Sequence, residues 1–302
     1  QMVFCAATAS IVSGAVAERV RIPAFFVFTI ILTGIIYPIQ GSWSWGGGYL
    51  SNAGFLDFAG STIVHSVGGW AALTGCIIIG ARKGKYSEDG SVNPMPGSNL
   101  PMATLGVFLL WFGWFGFNGG SQLAMGSAAD VNDISNIYIN TNLAAAAGAV
   151  AALIITSLLY NGKMDLTMVL NGALGGLVAI TAEPLAPSPY LAMFIGAIGG
   201  AIVVFAVPLL DQFKIDDVVG AIPVHLFAGI WGTIAVVFSN SDANLGSQIL
   251  GIVTVGIFVV ITSSIVWFAI KYTIGDRVSE EEEDNGIDYS STGLSAYDVS
   301  SK

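Results

Sequence analysis

Asp57-Phe-Ala-Gly-Ser-Thr-Ile-Val-His65-Ser-Val-Gly-Gly69 and Asp217-Val-Val-Gly-Ala-Ile-Pro-Val-His225-Leu-Phe-Ala-Gly229 are two copies of one pattern, Asp-x-x-Gly-x-x-x-Val-His-x-x-x-Gly. The two histidines in these copies are the only ones among the 302 residues. Each lies inside a long apolar stretch, where an isolated polar group costs several kcal/mol unless it faces a partner or a cavity. Duplication makes a matched pair of proton-exchanging groups, and the pair points to function.

The surroundings identify the solvent. The chain is 54% hydrophobic and only 10% charged, with 38 glycines, whereas soluble domains run to about 25% charged. It reads as an all-α polytopic membrane protein. Cys5 and Cys76 both sit in apolar runs and offer no disulfide framework, so they are expected to be small core residues. The net charge of −10 is mostly a property of the C-terminus, where residues 276–302 carry eight acids against Arg277 and Lys302.

Apolar runs near the roughly 20 residues that cross a bilayer fall at 2–17, 24–39, 59–80, 101–123, 139–160, 165–183, 188–209, 217–238 and 246–273. Lysine and arginine occupy every second connection: Arg19 and Arg21; Arg82, Lys83 and Lys85; Lys163; Lys214; then Lys271 and Arg277. By the positive-inside rule residue 1 lies near the outer face and the tail is cytoplasmic. The His-bearing runs are third and eighth, and an odd offset makes them cross in opposite directions. The repeat is therefore inverted, an arrangement that forms a substrate path near mid-depth. Each aspartate precedes its histidine by eight residues, ~12 Å of helix against a half-core of ~15 Å, so both imidazoles are expected near the membrane centre. If each unit is five spans ending in its His helix, the first unit has only three here. That arithmetic, with the opening on Gln1, predicts about two further spans upstream.

Other candidates carry competing structural readings. Trp111-Phe-Gly-Trp114-Phe-Gly-Phe117-Asn118 followed by Gly-Gly-Ser121 reads either as an interfacial aromatic belt or as rings projecting into a lumen, the glycines favouring the second. Trp43 and Trp45 precede Gly46-Gly-Gly48 in a loop without lysine or arginine. With Ser121 on the same face, Trp45 offers a small cation a ring face beside a hydroxyl, an attraction of ~0.5–2 kcal/mol. Asp57 and Asp217 read first as helix caps. Glu18 beside Arg19 is expected to close the inner end of the first span, and Glu183 with Pro184 the outer end of the sixth. Gly172, Gly175 and Gly176, with Gly196, Gly199 and Gly200, read as tight helix packing. For His65 and His225, bis-histidine haem ligation is a rival reading. Taken alone, the acidic tail looks disordered or partner-dependent.

Asp57 through His65, Trp111 through Ser121, Asp216-Asp217 through His225 and Gly229-Ile-Trp-Gly232 together resemble the ammonium transporter (Amt/Mep/Rh) family, on its microbial Amt side. The resemblance implies eleven helices, two inverted five-helix halves plus a final helix, of which about nine are present, in a homotrimer with one pore per subunit. It implies a membrane domain over 1–273 and an acidic cytoplasmic tail over 274–302, in a multi-pass protein of the cell membrane. It further implies a transporter, not an enzyme, with no cofactor and no metal, acting on ammonium and ammonia. Trp45 and Ser121 would form the outer recruitment site, Phe4 and Phe117 the gate, and His65, His225 and Trp114 the pore. Asp57 would organise the vestibule without touching substrate. Expected partners are a PII-type cytoplasmic regulator and the lipid bilayer, and not nucleic acid. The tail departs from the family pattern: Ser291-Thr292-Gly293 stands where Glu-His-Gly is expected, which bears on the regulator. An ammonium sensor and an Rh-type gas channel on the same fold remain alternative readings.

Overall fold

The computed structural model describes residues 1–297. Among them secondary structure is helical, apart from isolated bridges pairing Val20 with Arg277 and Tyr86 with Val92. Nine apolar helices follow in the expected order: α1 (Met2–Ala15), α2 (Ile22–Asn52, turning at 45–48), α3 (Ser61–Ile79), α4 (Leu100–Gly120), α5 (Ala128–Leu159), α6 (Leu166–Ile180), α7 (Pro189–Gln212), α8 (Pro223–Phe238) and α9 (Leu245–Thr273). Two short tail helices follow, α10 (Glu280–Asn285) and α11 (Ile287–Thr292). Six of the nine are long enough to cross a bilayer unaided, whereas α1, α6 and α8 are shorter.

Three boundaries differ from the hydropathy reading. Helix α2 continues past residue 39 to Asn52. Helix α5 begins eleven residues early, because Ser127 and Asp130 form a reciprocal capping box and its polar first turns are helical without being apolar. Helix α8 starts at Pro223 rather than 217, since Asp217–Gly220 form a turn in which Gly220 has φ +78°. Pro223 sits in the first turn of α8, where a missing N–H costs nothing.

Glycine sets the closest helix contacts. A Cβ on Gly148 of α5 would overlap the Gly172 carbonyl of α6, and one on Gly200 of α7 would overlap the Gly148 carbonyl. Gly176 and Gly196 meet the Ala144 carbonyl in the same way. Three helices thus touch backbone to backbone, the contact that small residues permit where lipid supplies no hydrophobic drive.

The two motif helices cross in opposite directions. Gly69 packs on Leu226, His65 faces His225, Thr62 bonds Thr233 at 2.6 Å, and Gly229 packs on Ser61 and Ser66. Ser66 against Gly229 and Gly69 against Leu226 are one contact with the two copies exchanged, and between them one number rises as the other falls, as antiparallel neighbours in an inverted repeat require.

Basic residues collect at one end of α3, where carbonyls lack helical partners. Lys271 Nζ donates to Ile78 O at 2.7 Å, Arg277 Nη1 to Ile79 O at 3.2 Å and Arg19 Nε to Gly80 O at 2.9 Å. Arg19 is fully buried and also donates to the carbonyls of Ala15 and Asp216. Glu18, just past the end of α1, pairs with Arg82 at 2.5 Å, while its neighbour Arg19 is taken up by carbonyls. Arg82 in turn grips Asp216 through Nε at 2.8 Å and Nη2 at 2.9 Å.

The described part of the tail is helical and ion-paired, where its composition alone reads as disordered or partner-dependent. Ser279 and Glu282 cap α10 reciprocally. Glu283 binds Arg277 at 2.7 Å and the Lys83 backbone N–H at 2.6 Å, while Asp284 binds Lys83 Nζ at 2.6 Å. The acidic segment thus pairs with Lys83, in the loop between α3 and α4, and with Arg277 at its own start. Residues 298–302 lie outside the described part.

Candidate functional site

Each motif builds the same local device. In the first copy Gly60, at φ +108°, turns the chain so that the Asp57 carboxylate caps the helix behind it. Its two oxygens accept backbone N–H groups from Gly60, Ser61, Thr62 and Ile63 at 2.8–3.0 Å. Asp217 repeats this on Gly220 at 3.1 Å and Ile222 at 2.6 Å. Both aspartates act as caps, as their position suggests, and Asp57 spends its acceptors on backbone.

Behind each cap the helix opens in a π turn, Ser61–Ser66 in α3 and Pro223–Phe227 in α8. The expected straight run of helix from aspartate to histidine is therefore a turn followed by a widened helix. Single π turns recur at functional positions because they redirect one side chain without ending the helix.

The two turns bring the imidazoles together. His65 Nδ1 lies 3.1 Å from His225 Nδ1, with ring centroids 5.2 Å apart and planes inclined by 20°. His65 is 2% exposed. Two nitrogens at this distance share one hydrogen, so one Nδ1 donates and the other accepts. The neutral pair then turns one bare Nε2 and one Nε2–H outward, and these roles exchange only when the shared proton crosses while the bare Nε2 gains a proton and the other Nε2 loses one. A metal held between the Nδ1 atoms would need them about 4 Å apart, twice a metal–nitrogen bond of about 2 Å, so this spacing leaves no room for haem iron between them.

Aromatic rings wall the pair. Trp114 stacks on His65 at 4.9 Å and 15°, and Phe117 lies 5.2 Å from it. Trp114 is held by its Nε1–H, which donates to Thr181 Oγ1 at 2.8 Å. Thr181 in turn lies 3.2 Å from Asn118 Oδ1, and Asn118 donates to Thr141. Phe4 and Phe117 are 4.3 Å apart by ring centroid, with Trp45 5.9 Å from Phe4. Trp45 Nε1–H donates to Asp57 O at 2.8 Å, tying this ring to the cap. Ser121 joins the group through Phe117, whose carbonyl accepts from its hydroxyl at 2.9 Å. The sequence-named residues thus form one chain of contacts, Trp45–Phe4–Phe117–His65–His225.

A cavity of about 910 Å³ begins at His65, His225, Trp114 and Phe117 and runs to Asp211 and Asp217. A second space of about 500 Å³ is lined by Phe4 and Phe117 with Gly113, Gly116, Gly120 and Leu123. Phe117 and Gly113 line both spaces, and Phe4 only the second. Sequence reading passed over Thr181, Thr62 and Thr233, which lie among apolar residues and carry no pattern of their own. It also passed over Gln40, which follows an apolar run and looks like an interfacial residue. The structure buries it completely.

Known proteins resolve what kind of chain this is. The model of the Ammonium Transporter Family matches residues 1–297. The ammonium transporter Amt2 of Archaeoglobus fulgidus is 44% identical over 98% of this chain.

This chain belongs to the ammonium transporter family.

A putative ammonium transporter of Synechocystis is 43% identical over 95% of the chain. The chain spans 69% and 66% of the lengths of these two relatives. Among solved structures, one titled a sensor Amt protein superposes with a TM-score of 0.92 at 38% identity, covering 97% of this chain and 75% of that one. Candida albicans Mep2 superposes at 0.82 and 29% identity over 92% of this chain and 65% of its own. The all-helical, multi-pass membrane fold expected from the sequence is that of this family, whose members are transporters and not enzymes.

Proposed function

We propose that this chain forms the conducting part of an ammonium transporter in which ammonium is recruited at Trp45 and Ser121, loses its proton near Phe4 and Phe117, and crosses as ammonia beside His65 and His225. The observation that carries this reading is the 3.1 Å approach of two Nδ1 atoms within an apolar cavity. A bare cation there would forfeit its hydration for a few ring faces, a loss that hydrogen-bonding neutral ammonia avoids. Ammonia both donates and accepts, and the histidine pair offers one acceptor and one donor to match. Potassium has no proton to lose and is refused at that step. The proton travels separately along the pair or returns outside, and current measurements on the same variants distinguish the two.

Assembly as a homotrimer, a cytoplasmic tail and its recognition by a PII-type regulator belong to the same proposal. Contacts of α10 with Lys83 and Arg277 support a tail that docks on the face carrying the basic residues. A second reading, an ammonium sensor, has support from the likeness to a sensor Amt protein. Ammonium-dependent signalling without net uptake would favour it.

The test is methylammonium uptake in cells lacking their own transporters, using the protein as its gene encodes it. His65→Ala and His225→Ala are each expected to reduce uptake about tenfold, ~1.4 kcal/mol in barrier, or to admit potassium, at unchanged membrane abundance. Wild-type uptake and selectivity in both variants would refute the pore assignment.

A further inference from the structure

The π turn that carries His65 is braced from outside. His65 N–H reaches five residues back to Gly60 O at 2.9 Å, and Val64 N–H shares the same acceptor at 3.0 Å. A widened turn aims its carbonyls off the helix axis, where ordinary i→i−4 partners serve them poorly. Side chains bind three of them here. Gln40 Nε2 of α2 donates to Ile63 O at 2.9 Å, Ser66 Oγ donates to Ser61 O at 3.0 Å, and the one hydroxyl hydrogen of Thr8 on α1 is shared between Val64 O at 3.2 Å and Phe4 O of its own helix at 3.1 Å.

Gln40 is the costliest of these donors. It is fully buried, and its Oε1 has no partner among the described residues. Turning the amide over would set its oxygen against Ile63 O, so the bond to Ile63 alone orients it. A half-satisfied buried amide lowers stability. Leucine or methionine would fill the space without that cost, so folding by itself gives no account of a glutamine here.

The second copy explains the glutamine by contrast. The residue matching Ile63 is Pro223, whose ring fixes φ covalently. Among the described residues no side chain donates to the carbonyls of Pro223–Phe227. One turn is stiffened by proline, the other by donors from neighbouring helices.

We propose that Gln40, with Thr8, is a positioning residue for His65: it holds the π turn open so that His65 Nδ1 meets His225 Nδ1. If the turn closed to α geometry, one residue of helical phase, about 100°, would have to be absorbed between His65 and Gly69. Gly69 is pinned because a Cβ there would lie 2.7 Å from Leu226 N. His65 would therefore be the group that swings. Its consequence for transport rests on the reading of His65 as a pore group, whereas the geometric claim does not.

The chain has only two histidines, so histidine labelled with nitrogen-15 gives a spectrum of the two imidazoles alone. In Gln40→Met and Thr8→Val the ring-nitrogen signals are expected to shift and the coupling across the Nδ1···Nδ1 bond to weaken. Maximal methylammonium uptake is expected to fall about three- to tenfold, the scale of one net hydrogen bond. Half-saturation should stay unchanged, because the outer recruitment site is untouched. Thr8→Ser keeps the hydroxyl and should restore both readouts. If Gln40→Met fails to reach the membrane, the Thr8 pair carries the test. A wild-type imidazole spectrum in folded Gln40→Met or Thr8→Val overturns the proposal whether or not uptake falls. Normal uptake in His65→Ala with altered spectra in these variants would instead overturn the pore reading and leave the bracing standing.

Discussion

His65 and His225 show how much of a site depends on single atoms. Both were legible as a pair because five positions of a motif recur, and both lie in apolar runs. The facing of Nδ1 on Nδ1 was not legible, since it depends on two π turns, and no periodicity in sequence distinguishes a π turn from an α turn. Trp45 is a residue whose likeness to a recruitment group and whose structural bond to Asp57 O coexist. Trp45→Leu removes the ring face but leaves Asp57 its four backbone donors. Half-saturation for methylammonium is expected to rise about 2- to 30-fold, matching ~0.5–2 kcal/mol of cation–π attraction, with maximal uptake retained. An unaltered concentration dependence would remove Trp45 from the recruitment site.

At the level of helices, α5, α6 and α7 owe their closeness to Gly148, Gly172, Gly176, Gly196 and Gly200. The glycine spacing on α6 and α7 marked tight packing in advance, but its partner on α5 was hidden within an alanine-rich run. Adding bulk where a backbone carbonyl already sits is worse than ordinary overpacking of ~1–3 kcal/mol, because the obstacle is not a flexible side chain. Gly148→Val is therefore expected to lose most folded protein from the membrane, measured by detergent-resistant yield. A yield equal to wild type would mean that these helices do not meet as described. The start of α5 at Ala128 also escaped hydropathy, since Asp130, Asn132, Asp133 and Asn136 are polar yet stand on a well-capped helix. Capping chemistry at Ser127 was the available signal.

Across the whole molecule, the face that carries the basic residues is held by charge. Asp216, between α7 and α8, is fully buried at its side chain, and burial alone would raise its carboxyl. Its two bonds from the Arg82 guanidinium and one from the Arg82 backbone outweigh that and hold it below the usual carboxylate range. A carboxyl depressed on folding stabilises fully above its unfolded value, near about pH 4, and that stabilisation is lost as pH falls through the lower folded value. Thermal stability in detergent should therefore drop on acidification below about pH 4. Asp216→Asn leaves Arg82 without its main partner and should destabilise by about 3–5 kcal/mol at neutral pH, while flattening the acid-side drop. A variant as stable as wild type, with the same acid sensitivity, would show that this pair does not hold the basic face together.

Apolar run lengths, the alternation of lysine and arginine, and the duplicated motif were enough for the sequence to determine nine helices, their order and the inverted relation of its two halves. These features are local or periodic, and each residue declares them by its own hydrophobicity or charge. Tertiary structure alone decided that Glu18 serves Arg82, that the tail pairs with Lys83 and Arg277, and that Gln40 reaches Ile63 O. A buried hydrogen bond between distant helices leaves no periodic trace, because its partners are chosen by where packed backbones expose a carbonyl, and that is known only once the helices have met.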